Sequence, residues 1–543
     1  MAEEETPAAP AGAVARAERL NTRAAGVVGL AVLCSRVLGL AREQIFAALF
    51  GGGRVMDAFT IAFRIPNLLR DLFAEGALST AFVTVFSRTA ALADEASAWR
   101  LANKVTTLAA VSLSAITVLG IVFAPWLVAL LAPGFDPAKA ALTVTLTRVM
   151  YPFILLVSLA ALVMGMLNAR NVFGIPAMAS SFFNLGSIVA GVLLGYWLDP
   201  HFGPGAILGL AIGTLIGGAL QLIVQLPALS RQGYRFRPDF RWGDPGVHAV
   251  LRLMGPSVIA ASTTQLNVLV NSVFASKLGD GPTFWLTVAF RLMQLPLGVF
   301  GVALGTVALP LLARMAAAGN TGVFRSELAR GMRLAFLMTL PASVGLILLA
   351  EPIISVLYQH GRFGAHETAE SAGALRFYAI GLCGYAALKV LVNAFYALDR
   401  RKTPMVVSFV AVGLNVLLNW IFTSELGWGH RGLAFSTACV ATSNFLILYF
   451  LMRSQLGRLE SRVLGVLLLK VALACLVLGG IAWSGAHFLL ADWAVQPFWP
   501  KCISLALIIA TAGAGFVLAA NALGVREVHE ILAAVRRRLR RAA

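Results

Sequence analysis

The chain has 543 residues, of which 59% are hydrophobic and 13% are charged, and its formal net charge is +18. Soluble domains are about half apolar and about a quarter charged, so this composition excludes a large soluble domain and predicts a membrane protein with many spans. Net positive charge can indicate nucleic-acid binding. Basic residues beside apolar runs more often set membrane topology and contact anionic headgroups, so we expect contacts with membrane lipids and no nucleic-acid partner.

The N-terminal segment, residues 1–25, is rich in Glu, Ala and Pro and lacks the basic start of a cleavable signal peptide. We predict that it is a disordered cytoplasmic tail. The five cysteines lie inside apolar runs without CxxC spacing, which argues against a disulfide framework or a zinc site.

Motifs for catalysis are missing from the sequence. It contains no nucleotide-binding phosphate loop, no HExxH metal motif and no nucleophile elbow. We therefore predict a transporter rather than an enzyme, without cofactor or metal. Its energy would come from a coupling ion, from the membrane potential, or from synthesis and consumption of the substrate.

Apolar runs of spanning length recur along nearly the whole chain and predict an all-α integral membrane protein with fourteen transmembrane helices. The predicted helices cover residues 26–50, 57–87, 104–132, 141–168, 174–198, 205–229, 248–276, 283–313, 326–350, 371–398, 404–424, 432–452, 463–488 and 499–522. When alternate loops are assigned to opposite sides, Lys and Arg concentrate on the side that holds both termini. The positive-inside rule therefore predicts cytoplasmic N and C termini.

A weak internal repeat links the first six predicted helices to the next six. Residues 62–65, AFRI, recur as AFRL at 289–292, and residues 77–80, ALST, recur as ALGT at 303–306, offsets of 227 and 226. Transporters are commonly built from duplicated bundles. We predict two pseudo-symmetric six-helix lobes, an N-lobe at 26–230 and a C-lobe at 247–453, then two further helices within 463–522 and a basic cytoplasmic tail at 523–543.

Ionisable residues are concentrated between positions 35 and 81, in the first two predicted helices. An Arg or Asp at the centre of a spanning helix costs roughly 2.5–3.5 kcal/mol, so these residues should be paired or face a hydrated cavity. Ser35, Gly39 and Arg42 share one helical stripe, and Glu43 lies on a neighbouring one. In the second helix, Pro66 interrupts the backbone hydrogen bonding where Asn67 and Arg70 follow, which is typical of a helix that lines a cavity.

Two interpretations of these charges are open. Arg64 has Asp57 and Asp71 on its own stripe, so an intrahelical salt bridge can neutralise it, and Arg36 can pair with Glu43 in the same way. The alternative is anion binding. We favour pairing for Arg64, Asp71 and Glu75. We favour anion binding for the surplus cations, which are Arg36, Arg42, Arg291 and, in the middle of helix 10, Lys389.

Uncharged polar and small residues also form pairs at helical spacing. Asn267 with Asn271, and Asn415 with Asn419, predict hydrogen bonds between helices, with ligand contact as the alternative. Gly213-x-x-x-Gly217 predicts close helix packing.

Arginines that converge inside a membrane call for an anion, and planar guanidinium groups suit phosphate oxygens well. Several motifs then resemble the bacterial lipid II flippase family MurJ, also called MviN. They are SRVLGLARE at 35–43, DAFTIAFRIPNLLR at 57–70, FAEGALSTAFV at 73–83, FRLMQLPLGVFGVALGTVALPLLAR at 290–314 and NAFYALDRRKTP at 393–404. The resemblance covers essentially the whole chain.

The resemblance implies a fold of the MATE-like MOP exporter superfamily, with two lobes around a cationic cavity and a groove for a polyprenyl tail at helices 13 and 14. It implies movement of the undecaprenyl-pyrophosphate-linked peptidoglycan precursor, lipid II, across the bacterial cytoplasmic (inner) membrane by alternating access, with cell-wall synthesis and division proteins as possible partners. Flippases of other polyprenyl-linked oligosaccharides and cation-coupled exporters are the alternatives.

Site roles also follow from the resemblance. Arg36, Arg42 and Arg291 would bind the pyrophosphate. Cavity or gating roles would belong to Ser35, Glu43, Asp57, Asn67, Arg70 and Lys389. This sequence has Glu43 where the family frequently has Asp, and Gln294 where the family can have an acidic residue. Gate pairings that depend on those two positions therefore do not carry over to this chain, whereas the cationic residues are unaffected.

Overall fold

We analysed a computed structural model that describes residues 11–72, 78–490, 496–530 and 532–533. In these ranges the chain is helical and contains no β-strand. The helices are α1 (Ala11–Phe50), α2 (Arg54–Arg70), α3 (Ser79–Leu92), α4 (Glu95–Val122), α5 (Ala124–Leu131), α6 (Pro137–Met150), α7 (Phe153–Ala169), α8 (Gly174–Leu198), α9 (Ile207–Ile223), α10 (Leu226–Arg231), α11 (Pro245–Ser276), α12 (Pro282–Ala317), α13 (Thr321–Leu348), α14 (Ala350–Tyr358), α15 (Ala365–Ile380), α16 (Leu382–Ala397), α17 (Lys402–Trp420), α18 (Gly429–Leu456), α19 (Ser461–Leu489) and α20 (Phe498–Ala522). One π-helical segment, Ile421–Glu425, follows α17.

Nine helical spans in the described part of the chain are long and apolar enough to cross a membrane, and the number rises to eleven if each of two bent pairs is one span. This finding confirms an all-α membrane protein. The count of fourteen spanning helices remains a prediction. One reason for the difference is that α2 has only 17 residues and contains several charges.

Every predicted helix range overlaps observed helices, with shifted ends, but several of the ranges are observed as two consecutive helices, such as α4 with α5 and α15 with α16. The fifth predicted helix and α8 share the same bounds, Gly174–Leu198. The second is observed as α2 and α3, and residues 73–77, which join them, lie outside the described residues. Helix α1 begins at Ala11, so the predicted disordered tail is helical from that residue onward, and residues 1–10 lie outside the described part.

The chain divides into two compact units. The first extends up to Phe46 and also contains Ala58–Ala129 and Pro137–Ser262. The second contains Ala47–Asp57, Leu130–Asp136 and the chain from Thr263 onward. The turn between α1 and α2 therefore belongs to the second unit, while most of both helices belongs to the first. The lobe boundaries predicted from the repeat stay predictions.

In the first unit, glycines allow α8 and α9 to pack closely. A Cβ atom on Gly213 would lie 2.4 Å from the Cα of Gly191, and one on Gly217 would lie 2.5 Å from the carbonyl oxygen of Phe183. Real Cβ contacts do not come this close, so both positions need glycine. The close packing predicted for the Gly213-x-x-x-Gly217 motif is thus confirmed.

The loop before α11 is held against the first turns of α4 in the same unit. The amide nitrogen of Arg237 donates to Oδ1 of Asn103 at 3.1 Å, and that of Asp239 donates to the Thr107 hydroxyl at 3.1 Å. The Lys104 ammonium donates to Asp244 at 2.5 Å. These contacts fix the loop along one face of α4.

In the second unit, α19 and α20 share an apolar core with α13. Its buried members include Leu337, Val471, Cys475, Ile508 and Phe516. At one end of this core the buried Lys501 ammonium donates to the Ser355 hydroxyl at 3.1 Å. The two C-terminal helices are therefore packed onto the second unit by an apolar seam.

At the other end of this apolar core, near the middle of α13, an ion-pair cluster links three chain segments. The Arg333 guanidinium contacts Glu460 at 2.5 Å and Glu527 at 2.7 Å, and its side chain is only 14% exposed. Glu460 precedes α19, and Glu527 follows α20. The helix pair is thus tied to α13 by charge as well as by apolar contacts.

Candidate functional site

The stripe of α1 predicted from helical periodicity faces α8 within the first unit. The side-chain amide of Asn184 donates to the backbone carbonyl of Ser35 at 3.1 Å. Gly39 lies against the same asparagine, because a Cβ on Gly39 would be 3.5 Å from its amide nitrogen. Ser35, Gly39 and Arg42 therefore do share one face, as the sequence predicts.

Arg42 lies at the end of this stripe, and its guanidinium lies over aromatic rings. Its Cζ atom is 4.9 Å from the ring centroid of Phe183 and 5.8 Å from that of Phe63. Phe153 packs against both rings, with centroid separations of 5.4 Å. A half-buried cation is thus held on an aromatic surface, and partial removal from water strengthens the cation–π attraction.

The two neighbours of this stripe have different surroundings. The Arg36 side chain is exposed, whereas Glu43 is only 8% exposed. Lipid tails offer no hydrogen-bond acceptor. An exposed arginine in a membrane protein must therefore contact water or lipid headgroups.

Asp57 is completely buried and caps a distant helix. Its Oδ2 accepts a hydrogen bond from the amide of Gly281 at 2.7 Å, and its Oδ1 accepts one from the amide of Phe284 at 2.8 Å. The first four N–H groups of a helix lack partners within it, and a carboxylate there also interacts favourably with the helix dipole. Because Gly281 precedes Pro282 and has no side chain to cap α12, Asp57 supplies the cap from another segment.

Other contacts surround this cap in the second unit, and we call the group of Arg54, Asp57, Asp136, Asp280 and Trp285 the Asp57 cluster. Arg54 contacts Asp136 at 2.5 Å and Asp280 at 3.7 Å. The hydrogen bond with Asp136 raises the pKa of Arg54. The Trp285 ring packs on the α1–α2 turn, since a Cβ on Gly52 would lie 3.0 Å from its indole nitrogen.

Two further segments complete the surroundings of the Asp57 cluster. The amide of Arg362 donates to the carbonyl of Ala48 at 2.8 Å. The Trp285 ring makes edge contacts with His366 and His430, at centroid separations of 5.5 and 5.2 Å. The α1–α2 turn is thereby held by α12 and by the segments around positions 362 and 430.

Asn67 and Arg70, two more predicted cavity or gating residues, both contact Asp71. The Arg70 guanidinium donates to Oδ1 of Asp71 at 2.8 Å, and the Asn67 amide is 3.5 Å from Oδ2. All three side chains are half-buried at the end of α2. Asp71 is therefore paired with Arg70, a contact that the sequence did not predict, and the predicted pairing of Arg64 with Asp57 or Asp71 stays a prediction. Glu75, which belongs to the same prediction, lies outside the described residues.

Arg291 and Lys389 belong to the second unit. Arg291 is half-buried on α12, and Lys389 is exposed on α16. The ring of Phe290, beside Arg291, packs edge-on against Tyr378 and Tyr385 at 5.3 and 6.5 Å. Tyr385 lies one helical turn before Lys389, so these aromatic contacts connect the part of α12 that carries Arg291 to the part of α16 that carries Lys389.

The four asparagines noted in the sequence form one network in the second unit. The Asn415 amide donates to Asn267 at 3.1 Å and to Asn271 at 3.2 Å, and Asn419 donates to Asn271 at 2.8 Å. This network joins α11 to α17. The predicted hydrogen bonding between helices is confirmed.

An apolar groove of about 520 Å³ lies between α13 and α19. It is lined by Leu340, Val344, Leu348, Ala472, Cys475, Leu476, Gly479, Gly480 and Trp483. Such a lining suits a hydrocarbon chain. Among the described residues, no group of His, Cys, Asp and Glu side chains is arranged to hold a metal ion.

Sequence reasoning did not find the partners of these residues. A lone Asn in an apolar helix signals a hydrogen bond, so Asn184 could have been suspected, but Phe183 is one of 33 phenylalanines and carries no signal of its own. Gly281-Pro282 could have indicated a helix start that needs an external cap.

Comparison with known proteins decides the family. The family model described as "Lipid II flippase MurJ" matches residues 46–503. This chain belongs to the MurJ family. A lipid II flippase MurJ from Burkholderia cenocepacia is 36% identical over 85% of this chain and 89% of its own length. A probable lipid II flippase MurJ from Buchnera aphidicola subsp. Acyrthosiphon pisum is 33% identical over 92% of this chain and 96% of its own.

Solved structures agree with this assignment. A MurJ structure described as an inward closed conformation matches with a TM-score of 0.73 and 25% identity, over 90% of this chain and 98% of that one. An inward-facing multidrug resistance MATE transporter of the MOP superfamily matches with a TM-score of 0.60 over 80% of this chain and 95% of that one, at 16% identity, which shows the common fold. The MurJ resemblance and the MATE-like fold expected from the sequence are confirmed.

Proposed function

We propose that this protein is a transporter that moves lipid II from the inner to the outer leaflet of the bacterial cytoplasmic membrane by alternating access. The observation that carries the proposal, beyond family membership, is the half-buried guanidinium of Arg42 held over two phenylalanine rings. A membrane protein keeps such a costly cation where it binds an anion. The pyrophosphate of lipid II is an anion with the oxygen geometry that arginine recognises.

In this proposal Arg36, Arg42 and Arg291 bind the pyrophosphate, and Lys389 adds positive charge to the same cavity. Arg36 and Lys389 are exposed, which suits residues that meet a headgroup in water. Arg42 and Arg291 are half-buried, which suits residues that hold their side chains in fixed positions. Ser35 and Glu43 belong to the same part of α1.

We propose that the Asp57 cluster is the gate on the extracytoplasmic side. It combines two short hydrogen bonds at a helix N-terminus with ion pairs that are 40–48% exposed. Exposed ion pairs contribute little, about 0–1 kcal/mol, so the cluster can open without a large penalty once the Asp57 hydrogen bonds break. Asn67, Arg70 and Asp71 are proposed to act at the opposite end of α2.

The lipid tail would remain in the membrane while the headgroup crosses. The groove between α13 and α19 supports this step because its lining is apolar. We propose that α19, the first of the two C-terminal helices, holds the polyprenyl chain here against α13. The return of a cationic site without its anion would be driven by membrane potential or by a counter-ion, since moving one charge across 100 mV is worth about 2.3 kcal/mol.

Topology and partners complete the proposal. The loops that carry Arg231, Arg235, Arg237 and Arg241, and Arg314 with Arg325, would be cytoplasmic, together with both termini. The protein would supply lipid II to cell-wall synthesis and division proteins at the outer face. An epitope tag at either terminus should be inaccessible to proteases added to intact spheroplasts.

Complementation tests the proposed function. Bacteria depleted of their own lipid II flippase should grow when they express this chain. The double variant Arg42→Ala, Arg291→Ala should fail although it reaches the membrane in normal amounts. Arg252→Ala is the matched control, because Arg252 is an exposed arginine near the start of α11, and this variant should support growth.

Two results would contradict the proposal. If the wild-type chain is made and inserted but cannot restore growth or lipid II translocation, its substrate is a different one, such as another polyprenyl-linked oligosaccharide. If the double arginine variant restores growth as well as wild type does, these arginines do not bind the pyrophosphate.

A further inference from the structure

Two adjacent residues of α8, Phe183 and Asn184, contact the cationic stripe of α1. Phe183 lies under the Arg42 guanidinium, 4.9 Å from Cζ to ring centroid. Asn184 donates to the carbonyl of Ser35 at 3.1 Å, and Ser35 is the residue before Arg36. Phe183 and Asn184 together thus contact Arg42 itself and the residue next to Arg36, the two α1 arginines of the proposed site.

The contact between Phe183 and Arg42 restricts the position of the guanidinium by cation–π attraction. A flexible arginine must lose rotamer freedom when it binds an anion, and one that is already held over aromatic rings has less to lose. The rings of Phe183 and Phe63 therefore lower the cost at which Arg42 contacts phosphate oxygens.

The position of Phe183 is itself fixed by close packing. Its ring contacts Phe153 at 5.4 Å, and Phe183 is only 8% exposed. On the other side, Gly217 and Gly218 of α9 leave space for these residues. A Cβ on Gly217 would lie 3.1 Å from the Phe183 ring, and one on Gly218 would lie 3.0 Å from the Phe153 ring.

Asn184 fixes the axial position of α1 relative to α8. It is 6% exposed, and its amide donates to the Ser180 carbonyl in its own helix as well as to Ser35 in α1, both at 3.1 Å. A sliding movement of α1 by one residue would break the bond to Ser35 in an apolar environment, where water cannot replace it. The register that places Arg42 over Phe183 is thus maintained about two helical turns away, at Ser35.

We infer that Phe183 and Asn184 are positioning residues for the pyrophosphate site: Phe183 orients the Arg42 guanidinium, and Asn184 sets the register of the α1 segment that carries Arg36 and Arg42. The inference rests on the proposed function, because it assigns them to a site that Arg42 forms. It adds two residues that make no charged contact with the substrate themselves.

The test is equilibrium binding of lipid II, and of undecaprenyl pyrophosphate as a probe without sugar or peptide, to purified variants in nanodiscs. Phe183→Leu should raise Kd by up to about tenfold, which is the order expected when one long side chain must lose its rotamer freedom on binding. Phe183→Tyr keeps the aromatic face and should stay within about twofold of wild type. Asn184→Leu should raise Kd for both ligands by a similar factor to Phe183→Leu.

Loss of packing alone would also weaken these variants, so two controls separate it from positioning. Phe82→Leu removes a fully buried ring from a different aromatic pair of the same unit, with Phe86 at 5.4 Å. It should lower the melting temperature as Phe183→Leu does, with Kd unchanged. In an Arg42→Ala background, Phe183→Leu should have no further effect on Kd, because the group that it orients is gone.

The outcomes distinguish this inference from the proposed function. If Arg42→Ala leaves Kd unchanged, the proposed function of Arg42 fails, and the positioning role fails with it. If Arg42→Ala raises Kd while Phe183→Leu raises it by the same factor with and without Arg42, Phe183 acts only through packing and the inference is overturned, although Arg42 remains a ligand. Asn184→Leu is compared with and without both Arg36 and Arg42, because Asn184 sets the position of both, and an equal factor in the two backgrounds would overturn its positioning role.

Discussion

The Oδ1 atom of Asp57 accepts a hydrogen bond from the backbone amide of Phe284 at 2.8 Å, although the two residues are 227 positions apart. This separation equals the offset between AFRI at 62–65 and AFRL at 289–292, so Asp57 and Phe284 hold equivalent places in the sequence repeat. Each lies in the first turn of its helix. The start of α12 is therefore completed by the start of α2.

Removal of the Asp57 cap should loosen the α1–α2 turn. Hydrogen bonds to a charged group contribute roughly 1.5–3 kcal/mol, so Asp57→Ala should shift the gate towards its open state, and Asp57→Asn should do so less. The reporter is Gly53→Cys in a chain without its native cysteines, since no atom lies within 4 Å of a Cβ at that position. Its labelling by a membrane-impermeant maleimide should be faster in Asp57→Ala.

Asp199→Ala is the matched control for this measurement. Asp199 also accepts two backbone hydrogen bonds, from His201 and Gly203, but within its own loop of the first unit. Its removal should leave the labelling rate of Gly53→Cys unchanged. Equal rates in the Asp57 and Asp199 variants would show that the cap does not hold the turn.

Arg333 should be the main determinant of how firmly α19 and α20 are held near the middle of α13. Arg333→Ala leaves Glu460 and Glu527 without their shared cation and should destabilise the protein by roughly 1–3 kcal/mol. Arg401→Ala removes a pair with Asp399 whose side chains are 76% and 91% exposed, and should have little effect. Thermal unfolding in detergent compares the two, and similar melting temperatures would contradict the prediction.

The glycines between α8 and α9 should be intolerant of a single methyl group. Gly217→Ala would place a Cβ 2.3 Å from the Ser187 hydroxyl and 2.5 Å from a backbone oxygen, and overpacking of this kind costs about 1–3 kcal/mol. Gly345→Ala in α13 meets nothing within 4 Å and should be neutral, or stabilising by up to about 1 kcal/mol. Melting temperatures measure both, and an unchanged value for Gly217→Ala would show that α8 and α9 can separate at no cost.

Acid should release the loop that packs on α4. The hydrogen bond and charge of Arg241 lower the pKa of Asp239 to about 2, and the hydrogen bond from Lys104 lowers the pKa of Asp244. Both folded-state values are below the ordinary value of 3.8, so the stabilisation is fully present above that pH and is lost as pH falls through the folded-state pKa. Amide protection of residues 232–244, measured by pulsed hydrogen exchange, should decrease between about pH 4 and pH 2.

A substitution supplies the control for the acid experiment. Lys104→Ala removes the main cause of the lowered Asp244 pKa, so protection of the loop should begin to fall at a higher pH than in the wild type. Arg100→Ala, on an exposed side chain of the same helix, should not change the profile. Amide protection of residues 232–244 that persists at pH 2 would contradict the role of the Asp239 and Asp244 carboxylates in holding the loop.

Periodicity and composition were enough for some parts of this molecule. The 3.6-residue repeat of a helix puts Ser35, Gly39 and Arg42 on one face, and that face is observed against α8. The bounds of α8 follow from a glycine and proline at its start and from the loss of apolar character after Leu198. Such features depend on residues close together in the sequence.

Other parts depend on residues that the sequence does not relate. Asp57 has Arg64 on its own stripe, which suggested an intrahelical pair, but its carboxylate accepts from amides that belong to α12. Backbone amides are present at every non-proline residue, so no side-chain pattern identifies that partner. The helical residues 11–25 were missed for a different reason, because their polar and charged side chains resemble a tail by composition while their alanines favour a helix.

The distance in sequence between Asp57 and its partners also determines when, during synthesis of the chain, Asp57 can form its final hydrogen bonds. Gly281 follows Asp57 by 224 residues. Chains are synthesised at about 5–20 residues per second, so the amide that Asp57 binds is made on the order of 10–45 s after Asp57 itself. During this interval a carboxylate that ends up completely buried must stay hydrated or find a temporary partner. The first hairpin therefore reaches its final state only after the second half of the chain has entered the membrane.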